Sequence, residues 1–417
     1  MVELNWSRTY AYSAASIQTP QTVDEVQQIV AAGLPVRALG TRHSFNDLPD
    51  SPGSLVHLGG MAAEPVLDRD AMTVSASGAI RYGQLAAYLQ KQGYALHNMG
   101  SLPHISIAGA CATATHGSGD RNPCLAAAVS EVEIVGGRGE VVHATRADAD
   151  FDGMIVALGA LGIVTRVTLD IEPTYNVRQD SYIDLEWDTL DEHFDEITGA
   201  AYSVSLFTNW RDRVDQVWLK SRLDDSTFES RVEFFGARPQ PPDQWATLIS
   251  PDPNLTQRGG VPGPWAERLP HFRLDATPSN GDEMQSEYFV DRRYAREAIR
   301  AVRELGAVLA PVLLIGEIRT VAADAMWLSP AYERDCVALH FTWRNDPSAV
   351  EAVVTVLEGV LAPYDPRPHW GKVFAADGAW VDRAYPRVAE FRELARRLDP
   401  DGQFRNAFLD RTVFRPG

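Results

Sequence analysis

The chain has 417 residues, with 38 Lys and Arg against 56 Asp and Glu and a formal net charge of −18 at pH 7. That length calls for two packed domains rather than one core, and that charge repels phosphate backbones and anionic lipid surfaces, which excludes nucleic acid as an expected partner. With 45% hydrophobic and 23% charged residues the composition is that of a folded globular protein, not a disordered one.

The start, MVELNWSRTYAYSAASIQTP, lacks a basic leader followed by an apolar core. The most apolar run, AVLAPVLLIG at 307–316, is interrupted by Pro311 and too short to span a bilayer. A cytoplasmic protein with no membrane partner is expected. Cys111, Cys124 and Cys336 are odd in number and widely spaced, so neither a disulfide framework nor a CxxC metal site can be drawn. They read as small core residues in a reducing compartment, and no metal is expected.

TPQTVDEVQQIVAAG predicts a capped helix ending at Gly33, and PVRALG a buried strand. LVHLGG and MTVSASG read as strands, and RYGQLAAYLQKQG as a helix that stops at Gly93. VSEVEIV and EVVHAT form the arms of a hairpin whose GGRG turn tolerates positive φ. FDGMIVALGALG gives a short helix with a glycine-rich end, and IVTRVTLDIEP a strand closed by Pro173. Beyond it the texture shifts to longer loops and aromatic-rich segments such as RLDDSTFESRVEFFGARPQPPDQW, which sets a domain boundary near 172. Residues 283–290, 312–321 and 337–343 read as strands, and 291–310 and 347–362 as helices. FRELARRLDPDGQFRNAF reads as a helix, an Asp-Pro turn and an apolar return. The two domains interleave rather than join through a linker, an α+β architecture.

A nucleotide cofactor needs glycine-rich backbone, because only glycine lets main-chain N–H groups approach a pyrophosphate closely. No GxGxxG follows a strand here. Instead there are two separated turns, GTRHS at 40–44 and SLPHISIAGACATATHGSG at 101–119, the second rich in small donors. Alone, that second segment reads equally as small-residue packing. Further on, Glu317 and Arg319 in EIR, and His340 and Thr342 in HFT, stand two apart on strands and so share a face. Buried, such groups need partners. They could satisfy one another as an ion pair, or serve a polyol, whose hydroxyls Glu accepts from, Arg donates to and Thr serves both ways.

GTRHSFND, NMGSLPHISIAGACATATHGSG, VALGALGIV and DPDGQFRNAF occur in the order seen in flavoproteins of the vanillyl-alcohol oxidase type. YSVSLFTNW, VPGPWAERLPHFR, EIRTVAADAMWLSPAY, HFTW and RPHWGKVF extend the match over nearly the whole chain. Within that group the sequence resembles the alditol oxidases, relatives of the aldonolactone oxidases. The resemblance implies a two-domain flavoprotein. An FAD-binding domain of two α/β subdomains at 1–172 would be completed by 374–417, and a substrate-binding domain at 173–373 would cap the flavin with an antiparallel sheet.

The resemblance also assigns roles. His43 would bond covalently to the 8α methyl carbon of FAD, a sensible reaction for a neutral imidazole beside the electrophilic methide tautomer of the flavin. Ala38, Leu39, Gly40, Thr41, Arg42, His43 and Ser44 would cradle the pyrophosphate. Ser101, Ser106, Gly109, Thr113, Ala114, Thr115 and His116 would line the rest of the cofactor, and Ile163 would contact the adenine side. Ser101, Glu317, Arg319 and Thr342 would bind substrate hydroxyls. His340, Lys372 and Arg319 would be the catalytic groups, with His340 and Lys372 near the reacting alcohol and Lys372 also at the flavin. Read without the family, Lys372 in HWGKVF has a lesser alternative as a surface lysine flanked by core aromatics.

The implied reaction oxidises the primary alcohol of an alditol such as xylitol or sorbitol to the aldehyde. Hydride passes to flavin N5, and O₂ is then reduced to H₂O₂. The expected partners are a small polyol and O₂, in a monomer. An aldonolactone oxidase or dehydrogenase is the nearest alternative; a catalytically silent FAD-binding protein would need none of the pocket's charged groups. Gly100 stands where alditol oxidases lead one to expect alanine, which bears on the rate with oxygen.

Overall fold

The computed structural model describes residues 3–61, 63–224, 233–240, 252–276 and 282–414. Helix Val23–Ala31 begins where the Thr22 side chain accepts from the Glu25 N–H, and it ends just before Gly33, whose φ of +71° is left-handed. Strands Ser16–Gln18, Ser54–Val56 and Val36–Ala38 form a parallel sheet in that order. LVHLGG is a strand only as far as Val56, and Leu58–Gly60 make a 3₁₀ turn. At Gly60 the chain runs against Pro20 and Gln21, where a Cβ would come within 2.8 Å of the Pro20 carbonyl oxygen.

A five-stranded antiparallel sheet follows, in the order Val66–Asp68, Thr73–Ser77, Ile163–Asp170, Val129–Val135, Val141–Thr145. Its last two strands are the expected hairpin, with Gly139 at φ +76° in the turn. Helix Tyr82–Gln92 packs Leu85, Ala86 and Leu89 into the core beside it and stops at Gly93, φ +83°.

Among the described residues the largest sheet has nine antiparallel strands. Arg238–Pro239, Asn176–Leu185, Val214–Arg222, Ser203–Thr208, Leu313–Val321, Cys336–Arg344, Glu283–Asp291 and Arg367–Pro368 run side by side, and Gly263–Pro264 also pairs with Asn176–Leu185. Much of RLDDSTFESRVEFFGARPQPPDQW, expected as loop, lies outside the described residues. Helices Ala295–Glu304 and Pro347–Leu361 cover one face of the sheet, over Trp343, Phe341, Tyr288 and Ile318. Strand alternation sends their neighbours Thr342, His340, Glu287, Glu317 and Arg319 to the other face. The single helix expected at 291–310 is broken: a 3₁₀ turn occupies Arg292–Tyr294, and a second short helix starts at Gly306. There a Cβ would stand 2.3 Å from the Trp210 carbonyl oxygen, so the chain bends at a contact only glycine permits.

The C-terminal segment braces the N-terminal one. After helix Val388–Leu398 the Asp399 carboxylate accepts from the N–H groups of Gln403 and Phe404, and Asn406 Nδ2 donates to the carbonyls of Asp47, Leu48 and Asp50. Buried Arg37 donates to the carbonyls of Leu48, Leu158, Gly159 and Phe404, so one guanidinium joins four distant stretches of chain. Cys111, Cys124 and Cys336 are buried and free.

Candidate active site

A cavity runs between the N-terminal sheets and the polar face of the nine-stranded sheet. Its first wall is the turn that leaves strand Val36–Ala38. Ala38, Leu39, Gly40, Thr41, Arg42, His43 and Ser44 all line it. The N–H groups of Gly40, Thr41, Arg42, His43 and Ser44 find no acceptor among the described residues. Five consecutive unspent donors form a concave site for an anion. The turn closes on Ser106, whose N–H donates to Thr41 Oγ1 at 3.2 Å. A Cβ at either Gly40 or Gly109 would come within 2.9 Å of Ser106 Oγ, so both glycines keep this approach open. Arg42 has φ +64° and is held by an ion pair to Glu3.

His43 stacks on Trp6 with ring centroids 5.4 Å apart. Both of its ring nitrogens are shielded from water and lack a hydrogen-bond partner. Burial, with His104 and Arg81 nearby, pushes the imidazole down to about 4, so the ring is neutral at pH 7. Orphaned imidazole nitrogens at a cradle of free amides fit a flavin dinucleotide. Ser101, Ser106, Gly109, Thr113, Thr115 and His116 continue the wall.

The opposite wall is the sheet. Phe207, Glu317, His340 and Glu287 stand opposite one another on four neighbouring strands, with Ile315, Thr342 and Gln285 one rung along. Glu287 is the hub of the charges. Its Oε1 lies 2.5 Å from Arg319 Nη2, and its Oε2 lies 2.7 Å from Lys372 Nζ. Burial alone would raise this carboxyl, but Lys372, Arg319 and His116 hold it well below the usual carboxylate range. His116 donates from Nδ1 to the Gly117 carbonyl at 2.8 Å, while its Nε2 lies 3.2 Å from Glu287 Oε1 without a hydrogen bond.

Arg319 also reaches across to the first wall, with Nη1 3.4 Å from Ser101 Oγ. Glu317 accepts from His271 Nε2 at 3.0 Å; burial opposes its charge, but Arg319 and His271 keep it ionised. His340 Nε2 lies 3.1 Å from Gln285 Oε1. Burial, then Lys372, holds its pKa well below 6.5. Burial also lowers Lys372, against the pull of Glu287.

Of the residues singled out in the sequence, all but Ala114 and Ile163 line the cavity. Ala114, at φ +53°, packs in the core. Ile163 points into a cluster with Val26, Val30 and Val36, while its neighbours Gly162 and Val164 face the cavity. Glu283, Gln285, Glu287, His271 and His369 line it too and were not singled out. EMQSEYF carries Glu283, Gln285 and Glu287 at the same two-residue spacing as EIR, and that spacing was the available signal.

A family model described as FAD binding domain matches residues 14–145, and one described as D-arabinono-1,4-lactone oxidase matches residues 278–412. A cholesterol oxidase from B. sterolicum superposes with a TM-score of 0.79 at 14% identity, covering 99% of this chain and 96% of its own, a likeness of fold alone. The expected α+β flavoprotein fold of the vanillyl-alcohol oxidase type is borne out. L-gulono-1,4-lactone dehydrogenase of Mycobacterium tuberculosis is 27% identical over 443 residues, 98% of each chain. Alditol oxidase of a Streptomyces species is 46% identical over 409 residues, 97% of each chain. With identity at that level sustained along nearly its whole length, the chain belongs to the alditol oxidase family.

Proposed function

We propose that this protein is an FAD-dependent oxidase of alditols such as xylitol and sorbitol, converting a primary alcohol to the aldehyde and O₂ to H₂O₂. The carrying observation is the row of Glu317, Arg319, His340, Thr342 and Glu287 on one sheet face, opposite the free amides around His43. The 46% identity to an alditol oxidase supports the substrate class. FAD, when bound, supplies the hydride acceptor and hands the electrons on to O₂. The protein does the rest by binding and proton handling. Residues 38–44 would hold the pyrophosphate, and His43 would carry the covalent link to the flavin. Glu317 accepts from one substrate hydroxyl, while Arg319, Ser101 and Thr342 fix others. His340 and Lys372 sit at the reacting alcohol, where the neutral imidazole can take up its proton and the Lys372 ammonium, paired with Glu287, places a positive charge beside it.

The match of residues 278–412 to a lactone oxidase model favours a second reading, in which the same sheet face serves a cyclic ester alcohol. A peroxide assay on xylitol, sorbitol and a γ-lactone separates the two. Peroxide from the alditols and none from the lactone is expected. Turnover of the lactone alone overturns the alditol reading; flavin bleached anaerobically by a substrate that yields no peroxide marks a dehydrogenase, and flavin that none of the three reduces leaves a silent FAD-binding protein.

A further inference from the structure

Lys220, a buried amine pushed down by burial to about 7 against the pull of Glu317, is given no task by the proposed reaction. Strand Val214–Arg222 carries it on the same face as Trp218, behind the cavity, and it is 1% exposed. Its amine meets three acceptors: the Leu269 carbonyl, the Pro270 carbonyl at 3.1 Å and His271 Nδ1 at 3.1 Å. An ammonium has three N–H donors and satisfies all of them. A neutral amine would need His271 to donate from Nδ1, which turns a bare Nε2 against the Glu317 carboxylate at 3.0 Å. The network is satisfied throughout only when the His271 proton sits on Nε2 and is given to Glu317 Oε1.

The imidazole cannot swing away from this position. The ring is wedged edge-on between Phe207 and Trp218, with centroid distances of 5.6 and 5.2 Å, and the main-chain N–H of His271 donates to the Ser101 carbonyl. Burial, then Lys220, pushes the ring down to about 4 and keeps it neutral. Among the described residues Glu317 Oε1 is engaged, while Oε2 has no hydrogen-bond partner.

We propose that Lys220 and His271 are positioning residues for alditol binding: the Lys220 ammonium fixes the His271 proton on Nε2, and that N–H anchors Glu317 so that its second oxygen receives a substrate hydroxyl. This rests on the reading of Glu317 as a hydroxyl acceptor, and the test separates the two. In the flavin-loaded protein, His271→Phe keeps an aromatic ring but loses the donor, whereas His271→Gln keeps a donor but loses the ring. Anchoring predicts that His271→Phe raises the KM for xylitol roughly tenfold, the worth of one hydrogen bond to a charged group, and that His271→Gln raises it less. The limiting rate of flavin reduction should move far less than KM in both. A packing role gives the reverse order and overturns the proposal.

Lys220→Met should raise KM alone and add nothing in a Glu317→Gln background, whereas independent effects that multiply overturn the proposal. If Lys220→Met does not accumulate, ¹⁵N NMR of the histidine-labelled holoenzyme decides, with the His271 signal identified by its loss in His271→Gln. A proton on Nε2 supports the proposal and one on Nδ1 overturns it. Glu317→Gln with unchanged KM removes Glu317 from substrate binding and the proposal with it. A raised KM there, with His271→Phe silent, overturns the anchoring alone.

Discussion

His43 lies on the cavity wall with two unpartnered nitrogens and a lowered pKa, and those features suit a nucleophile rather than a ligand-binding cation. Acid precipitation should leave the wild-type pellet yellow and release the flavin from His43→Ala; flavin freed from the wild type removes the covalent link. Arg319 bridges Glu287 and Ser101 in a buried site. Removing it strips a charge-assisted partner worth about 1–3 kcal/mol from the substrate, so Arg319→Ala should lower kcat/KM by roughly one to two orders of magnitude. The variant must first match the wild type in FAD content. Unchanged kcat/KM on xylitol and sorbitol would return Glu317 and Arg319 to a purely structural ion pair. Gly100 lines the same cavity, and a Cβ there would meet Thr115, His116 and Ile105 at 3.6 to 3.7 Å. A methyl there makes ordinary contacts, and valine adds two further methyls to a wall that glycine leaves bare. Gly100→Val should therefore slow reoxidation by O₂ in stopped flow while leaving anaerobic reduction by alditol largely intact.

Strand Glu283–Asp291 sits between Cys336–Arg344 and the short Arg367–Pro368, and so places Glu287 between Arg319 and Lys372. A carboxylate compensating two buried cations is costly to remove, by about 3–5 kcal/mol when one partner of such a pair is lost. Glu287→Leu should show that loss as a lower denaturation midpoint, even in the flavin-free protein; an unchanged midpoint would mean the two cations find other partners. The periodicities that define these elements were readable: the capped helices ending before Gly33 and at Gly93, the GGRG hairpin and the strands bearing EIR and HFT all stand where the pattern puts them. Glu287 was equally patterned in EMQSEYF, but its meaning depends on which strands flank it, and alternation carries no information about neighbours. Ile163 came from the resemblance and not from alternation; its side chain packs among Val26, Val30 and Val36, and the residues on either side face the cavity. Lys220 and His271 meet across 51 positions, and the sequence between them has no period to read.

Across the whole molecule the buried histidines share one electrostatic condition. Burial pushes His97 and His271 down to about 4 and holds His116, His340 and His369 below their ordinary 6.5, with Lys372 adding to the fall at the last two. A base with a lowered folded pKa takes up a proton on unfolding. Its stabilising contribution is therefore full above about pH 6.5 and is lost as the pH falls toward the folded value, with a slope approaching about 1.4 kcal/mol per pH unit for each ring. The melting temperature should drop steeply between pH 7 and pH 5, and a flat profile there would mean that these rings are already charged in the folded state. Arg37 has a consequence of another kind, one of timing. Its guanidinium clasps the Phe404 carbonyl across 367 positions, so the cavity wall it supports is not complete until residue 404 has been made. Closing so long a loop is slow, and a nascent chain that has not yet made its C-terminal turn has no finished pocket to offer a flavin. A chain ended at Leu398 should accordingly accumulate without bound flavin; flavin retained by it would mean that the wall forms without that clasp.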